Sequence, residues 1–206
     1  SIEANARIYI DQIRDEFDRN TLEEMYDRTF NTDRVFVHAH FGTNDIESIF
    51  SKLRYLIIGC DCKWVVVDHL HMLVSAVHEG DERRAIDSIM TRLRSMVEET
   101  GAGIILVSHL RRVDGNKGHE NGIEVSLSHL RGSNSIGQLS DCVIALERNQ
   151  QSDDELVSRT TRLRILKSRY TGDVGLATNL IYDVETGRLH EQDLSELEPD
   201  EQELLL

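Results

Sequence analysis

Apolar residues at Ile2, Ala6, Ile10, Ile13 and Phe17 recur at helical spacing among charged ones, and the pattern returns over residues 21–30 after a break at Arg19-Asn20. Two amphipathic helices are therefore expected first. Residues 34–38 are a short run of β-formers. Helical spacing resumes over residues 45–58 through Ile46, Ile49, Phe50, Leu53 and Leu56, with Asn44 or Asp45 placed to cap the first turn. The unbroken apolar runs at residues 64–67 and 103–107 suit strands buried on both faces of a parallel sheet. Between them, residues 81–100 carry Ile86, Ile89, Met90, Leu93 and Val97 on one helical face, with Gly101 as the terminating cap.

Residues 111–126 are rich in Gly, Asn, Asp and Lys and lack any period, which predicts a mobile loop. A short helix at 133–139, a strand at 142–147, a polar turn at 149–155, a strand at 160–168 and a hairpin at 177–190 around Glu185-Thr186-Gly187 complete the pattern. Helices alternating with apolar strands predict an α/β fold: a mostly parallel, doubly wound sheet flanked by helices, with an antiparallel hairpin at its C-terminal edge.

A chain of 206 residues can bury one sizeable core, so one domain over residues 1–190 is expected, followed by a tail at 191–206. No run of about 18 apolar residues and no signal-like start occurs, which predicts a soluble, cytoplasmic protein without membrane contact. The cysteines Cys60, Cys62 and Cys142 are odd in number, and Cys60 and Cys62 flank only Asp61, too tight for a zinc knuckle with no second pair following, so core thiols are expected. A net charge of −14 counts against nucleic-acid binding until its distribution is considered. From Glu191 onward there are seven acidic residues and no Lys or Arg, so about half of the excess lies in a tail whose composition predicts disorder. Basic residues gather instead at Arg111, Arg112, Lys117 and Arg131, and again from Arg159 to Arg169.

In an open α/β sheet, ligands bind beyond the carboxyl ends of the strands, which here are marked by Asp68 and His109. Apolar β-formers followed by Asp match the Walker B pattern, in which the carboxylate holds Mg²⁺ through water beside a nucleotide's phosphates. The competing role for Asp68 is capping of the next turn. His109, one helix further on, is either a satisfied strand-end imidazole or a sensor that hydrogen-bonds a γ-phosphate and moves its loop when that phosphate leaves.

Six further blocks extend this pair: Asp81-Glu82-Arg83-Arg84, Ser108-His109-Leu110, Leu130-Arg131-Gly132-Ser133, Gln138-Leu139-Ser140-Asp141, Ala145 to Gln151, and Ile165 to Asp173. Together with Asp68-His69-Leu70, and in constant order over residues 60 to 190, they resemble the helicase half of the bifunctional primase-helicases of short-tailed coliphages. Mitochondrial and bacterial DnaB-type replicative helicases look like more distant relatives. The resemblance implies a RecA-like fold, a homo-hexameric ring, hydrolysis of ATP or dTTP with Mg²⁺ between subunits, and 5′ to 3′ movement on single-stranded DNA.

Carried over residue by residue, it implies that Asp68 is the metal carboxylate, His109 the phosphate sensor and Arg169 an arginine finger reaching a neighbour's nucleotide. A fixed guanidinium suits developing phosphoryl charge, and delivery in trans ties hydrolysis to assembly. Arg148 and Tyr182 match positions that sandwich the base, and Gln138 and Lys167 are assigned to the nucleotide site as well. Arg111, Arg112, Lys117, Arg131 and Gly132 fall on the DNA side, where mobile cations contact phosphates without reading bases. Gly115 and Gly137 stand where the family has basic residues. The acidic tail resembles one that docks the replicative polymerase but ends in Leu204-Leu205-Leu206 without an aromatic residue, so a solubilising tail is the equal alternative.

No G-x-x-x-x-G-K-[ST] phosphate loop occurs in the sequence. Alignment with the family would place the catalytic glutamate just before Ser1. The expectation is a fragment completed by an upstream half of the helicase. A split gene, or an intein insertion with Ser1 as the downstream splice nucleophile, is one origin, and simple truncation is the other. The alternatives from other classes are a non-catalytic oligomerisation or DNA-binding module and another RecA-like ATPase, such as a recombinase or clock-type protein.

Overall fold

The structure, a computed structural model, describes residues 19–38, 45–76, 81–113 and 118–192. The expected helix at 2–17, Asn44, Gly115, Lys117 and most of the acidic tail lie outside the described residues. Helix α1 (Arg19–Thr29) begins at the expected break rather than after it, and its i,i+4 pair Arg19–Glu23 at 2.8 Å supports that first turn. Residues 35–38 form no strand. Among the described residues they pair with no neighbouring strand, and β-propensity without a ladder leaves an exposed coil that shows Val35, Phe36 and Val37 to solvent.

Helix α2 (Ile46–Arg54) starts where Asp45 accepts hydrogen bonds from the amides of Glu47 and Ser48 at 2.8 and 3.1 Å, then relaxes into a π-turn over Tyr55–Gly59. Strand β1 (Trp64–Val67) follows, then a short helix α3 (Leu70–Ser75) that the hydrophobic pattern did not reveal. Helix α4 (Glu82–Thr100) begins on the Asp81 cap and closes on Gly101 at φ 71°, and its inner face is Ala85, Ile86, Ile89, Met90, Leu93 and Met96. Met96 occupies the inward position in place of the partly buried Val97. Strand β2 (Gly103–Leu106) pairs in parallel with β1, Val67 lying opposite Leu106.

The core gathers α2, β1, α3 and α4 through Phe50, Leu53, Ile57, Val65, Leu70 and Ile86, and helix α5 (Ser135–Leu139) joins it through Ile136. Strands β3 (Cys142–Arg148), β4 (Thr160–Ser168), β5 (Gly175–Tyr182) and β6 (Leu189–Gln192) follow, with an unexpected short helix α6 (Glu155–Arg159) between the polar turn at 149–155 and β4. They form an antiparallel sheet in the order β3-β4-β5-β6, whereas the parallel ladder among the described residues has only β1 and β2. The fold is α/β as expected, but the antiparallel part is more than an edge hairpin.

Nor is β1 buried on both faces. Trp64 and Val66 are 69% and 64% exposed, and Ile105 of β2 is 51% exposed on the same side. Val65 of β1 is buried in the core, and Val67, partly buried on the same face, packs against it. Cys142 likewise points outward with Ile144 and Leu146, so a core thiol is found neither there nor fully at the half-buried Cys60 and Cys62.

Candidate functional site

The parallel ladder sets the site. Its last hydrogen bonds run from the Val107 amide to the Val67 carbonyl (3.0 Å) and from the Leu70 amide to the Val107 carbonyl (2.8 Å). Asp68 and His69 on one side, and Ser108 and His109 on the other, therefore leave the sheet together at its carboxyl end. The Asp68–His69 peptide is cis. Asp68 is exposed, and among the described residues no hydrogen bond or ion pair engages its carboxylate. Exposed carboxylate oxygens at that edge are ligands of the kind that hold Mg²⁺ through water.

His109 is also exposed, and its ring centroid lies 4.1 Å from that of His69 and 5.3 Å from that of His71 on α3. Burial, followed by the Arg131 cation and His109, pushes the His71 pKa below the usual histidine range. The Arg131 amide donates to the His109 carbonyl at 3.1 Å, and the Arg111 amide donates to the His129 carbonyl at 2.8 Å. These bonds bind the residues after β2 to the segment carrying Arg131 and Gly132. An open cleft results, lined by His109, Arg111, Arg112, His119 and Arg131. Three arginines thus line the same cleft as the strand-end histidine, and Arg131 keeps a partner in Glu82 at 3.3 Å. Gly132 adopts φ 105°, and a Cβ there would collide with Cδ1 of the buried Ile86. Its role in this structure is close backbone packing.

The other assigned residues lie on the antiparallel sheet. Arg148, at the end of β3, donates to the Ser158 carbonyl at 2.7 Å, and its guanidinium carbon is 5.9 Å from the Tyr182 ring centroid. The two side chains are thus neighbours on the sheet. A base between two planar groups needs roughly 7 Å, twice a van der Waals separation of about 3.5 Å, so a ligand has to part them slightly or stack on one outer face.

Arg169 is in the turn after β4, not on the strand. It donates to Asp141 at 3.0 Å and to the Gln138 carbonyl at 3.4 Å. Asp141 also accepts from Arg94 of α4 at 2.7 Å, so one carboxylate links the helix to the finger candidate. Lys167 donates to the carbonyls of Gly137, Gln138 and Ser140 at 2.8, 3.1 and 2.7 Å. All three of its donors close the C-terminal end of α5, so in this conformation it is a helix-end cation, while the Gln138 side chain is exposed.

Two features escaped the sequence reading. One is the His69 and His71 pair, whose signal was two histidines at alternate positions just past a strand, opposite a second strand ending in histidine. The other is Glu147, buried with a hydrogen bond from the Val125 amide (2.8 Å) and an ion pair to Arg164 (2.8 Å). It anchors the segment leading from the cleft onto the sheet.

Residues 1–191 match the family described as DnaB-like helicase C terminal domain. The chain is 40% identical over 168 residues, 82% of its length, to a protein named DNA helicase/primase from Enterobacteria phage T3, and the match spans 29% of that relative. Among solved structures, a KaiC-like protein from the hyperthermophilic archaeon Pyrococcus horikoshii is similar with a TM-score of 0.54, covering 85% of this chain and 70% of that one at 13% identity. That likeness shows the RecA-like α/β fold alone. No helix among the described residues is long and apolar enough to cross a membrane.

Proposed function

Because the chain belongs to the DnaB-like helicase C-terminal domain family, we propose that it is the C-terminal part of a replicative DNA helicase that couples nucleoside triphosphate hydrolysis to 5′ to 3′ movement along single-stranded DNA. The observation that carries this reading is that Asp68 and His109 both follow the carboxyl ends of the paired strands β1 and β2, where His109 lines a cleft of arginines. ATP or dTTP is the substrate. A Mg²⁺ ion, when bound, neutralises charge on the phosphates. Asp68 holds it through water, and His109 donates a hydrogen bond to the terminal phosphoryl group.

Arg111, Arg112 and Arg131 continue from His109 and take DNA phosphates, and Lys117 joins them. Loss of the terminal phosphate at His109 is thereby felt at the DNA grip, since Arg131 and His109 share a backbone hydrogen bond. Arg148 and Tyr182 hold the base, with Gln138 nearby. Arg169 exchanges Asp141 for the nucleotide of the adjoining subunit in a homo-hexameric ring, while Lys167 braces the α5 end beside it. The phosphate loop and the glutamate that activates water come from an upstream half of the same domain. The exposed apolar face of Trp64, Val66 and Ile105 supports such a completion. The acidic tail is a docking segment for the replicative polymerase.

The test mixes the chain with a segment carrying the phosphate loop and measures DNA-stimulated hydrolysis. Activity that disappears in Asp68→Asn and falls at least about 100-fold in His109→Ala supports the reading. Absence of activity with both pieces folded and associated refutes it in favour of a non-catalytic ring or DNA-binding module.

A further inference from the structure

His69, His71 and His109 each offer a ring nitrogen, and the three nitrogens lie within 4.8 Å of one another. The fold brings them together by two independent routes. Parallel pairing of β1 with β2 places His69 against His109, and the hydrogen bond from the Leu70 amide to the Val107 carbonyl starts α3 so that His71 falls in its first turn. The His71 and His109 rings are nearly parallel, at 18°. The His71 side chain is only 10% exposed. Its Nδ1 and Nε2, together with Nδ1 of His69, are buried without a hydrogen-bond partner among the described residues. Buried ring nitrogens without partners are unusual, because each imidazole normally satisfies at least one of them.

From this geometry we infer a transition-metal site: His69, His71 and His109 bind one Zn²⁺-class ion, with the fourth position open to water. Three imidazoles with one open position suit a borderline-soft cation of tetrahedral preference, and they do not suit Mg²⁺, which takes oxygen ligands. Tetrahedral ligation at about 2.0–2.1 Å places ligand nitrogens roughly 3.3 Å apart. The cluster reaches that spacing by ring rotation, aided by the exposure of His109. Glu82 lies 3.8 Å from His71 Nε2. Ligation through Nδ1 leaves Nε2 to this carboxylate, the outer-shell arrangement that orients a metal-bound imidazole. The charges facing the site are mixed: Arg131 opposes a cation, while Glu82, its ion-pair partner, and the neighbouring Asp68 favour one.

Such an ion ties the strand-end histidine to α3. On the reading that His109 senses phosphate, a bound Zn²⁺ holds the sensor away from the nucleotide and brakes the motor.

The test titrates the full chain with Co²⁺ in the presence of excess Mg²⁺ and follows the visible bands of a four-coordinate ion. Saturation at one equivalent, with bleaching by Zn²⁺, is the expected result. His109→Asn changes an exposed residue and leaves the fold intact, so it isolates the ligand effect. His109→Asn and His71→Asn each weaken binding by at least about tenfold, Glu82→Gln does so by about tenfold, and His119→Asn leaves the titration unchanged. A six-coordinate spectrum in the unaltered chain, or an unchanged titration in His109→Asn, overturns the site. Neither readout involves hydrolysis, so the metal site and the helicase reading stand or fall separately.

Discussion

At the scale of single residues, two positions combine close packing with a clear cost of change. Gly132 has φ 105° and its Cα hydrogens face Ile86, which is 0% exposed, so Gly132→Ala meets both backbone strain and a buried collision. Overpacking and strain together predict a loss of about 1–3 kcal/mol, read as a lower urea midpoint with an unchanged slope. A midpoint within error of the unaltered chain would show that Ile86 yields freely. Glu147 presents the opposite case, a carboxylate needed for its charge. Glu147→Ala leaves Arg164, whose side chain is 15% exposed, with only the longer contact to Glu124 at 3.4 Å. Removing one partner of a buried pair typically costs about 3–5 kcal/mol, and the surviving contact sets the expectation near 3. The same urea series measures it, and Arg164→Met combined with Glu147→Met should recover much of the loss.

Among the elements, the β5-β6 hairpin shows how a turn carries a pH dependence. Asp183 accepts from the Thr186 hydroxyl at 2.7 Å and from the amides of Thr186 and Glu185 at 3.2 and 2.8 Å. These bonds, with that to the Thr186 hydroxyl foremost, hold its pKa below the usual carboxylate range. A carboxyl with a depressed folded pKa gives its full stabilisation above the unfolded value of about 3.9 and loses it as pH falls through the folded value. The amide resonances of Glu185 and Thr186 should therefore move only in strongly acidic solution, and Asp183→Asn should abolish that movement. Movement centred at or above pH 4 would contradict the assignment. This hairpin, the 81–100 helix with its Gly101 cap and strand β4 were legible in the sequence because local chemistry specifies them, whereas the Asp81 cap was taken there for the first residue of the helix. Helix α3 was not legible, because six residues after a strand give no periodicity to read. Residues 35–38 were misread for the converse reason, since β-formers make a strand only where another strand supplies hydrogen bonds. Asp68 and His109 could be singled out as strand ends, but their approach through His69 and His71 depends on the β1-β2 register, which no single-sequence pattern carries.

For the whole molecule, the unequal faces of the β1-β2 ladder are the largest departure from the expected doubly wound sheet. Val65 faces the core, while Trp64, Val66 and Ile105 present apolar surface on the other side, with the Trp64 ring lying over Gly103. Parallel strands are ordinarily covered on both faces, since their side chains alternate and both sets are apolar. On the proposed reading, the part of the domain bearing the phosphate loop covers this face and in doing so brings the loop to the strand ends where Asp68 and His109 wait. Folding and catalytic assembly then depend on the same contact. Val66→Lys combined with Ile105→Lys separates the two. Both positions are exposed, so each change should cost the chain itself no more than about 0.5 kcal/mol. Binding of an apolar dye such as anilinonaphthalene sulfonate should fall. DNA-stimulated hydrolysis on mixing with the phosphate-loop segment should be lost, because two buried ammonium groups oppose the association. Asp68→Asn provides the contrast: it leaves dye binding and association intact and removes only hydrolysis. Complementation by the double-lysine variant at the level of the unaltered chain would place the completing segment elsewhere on the molecule and leave the apolar face to another partner.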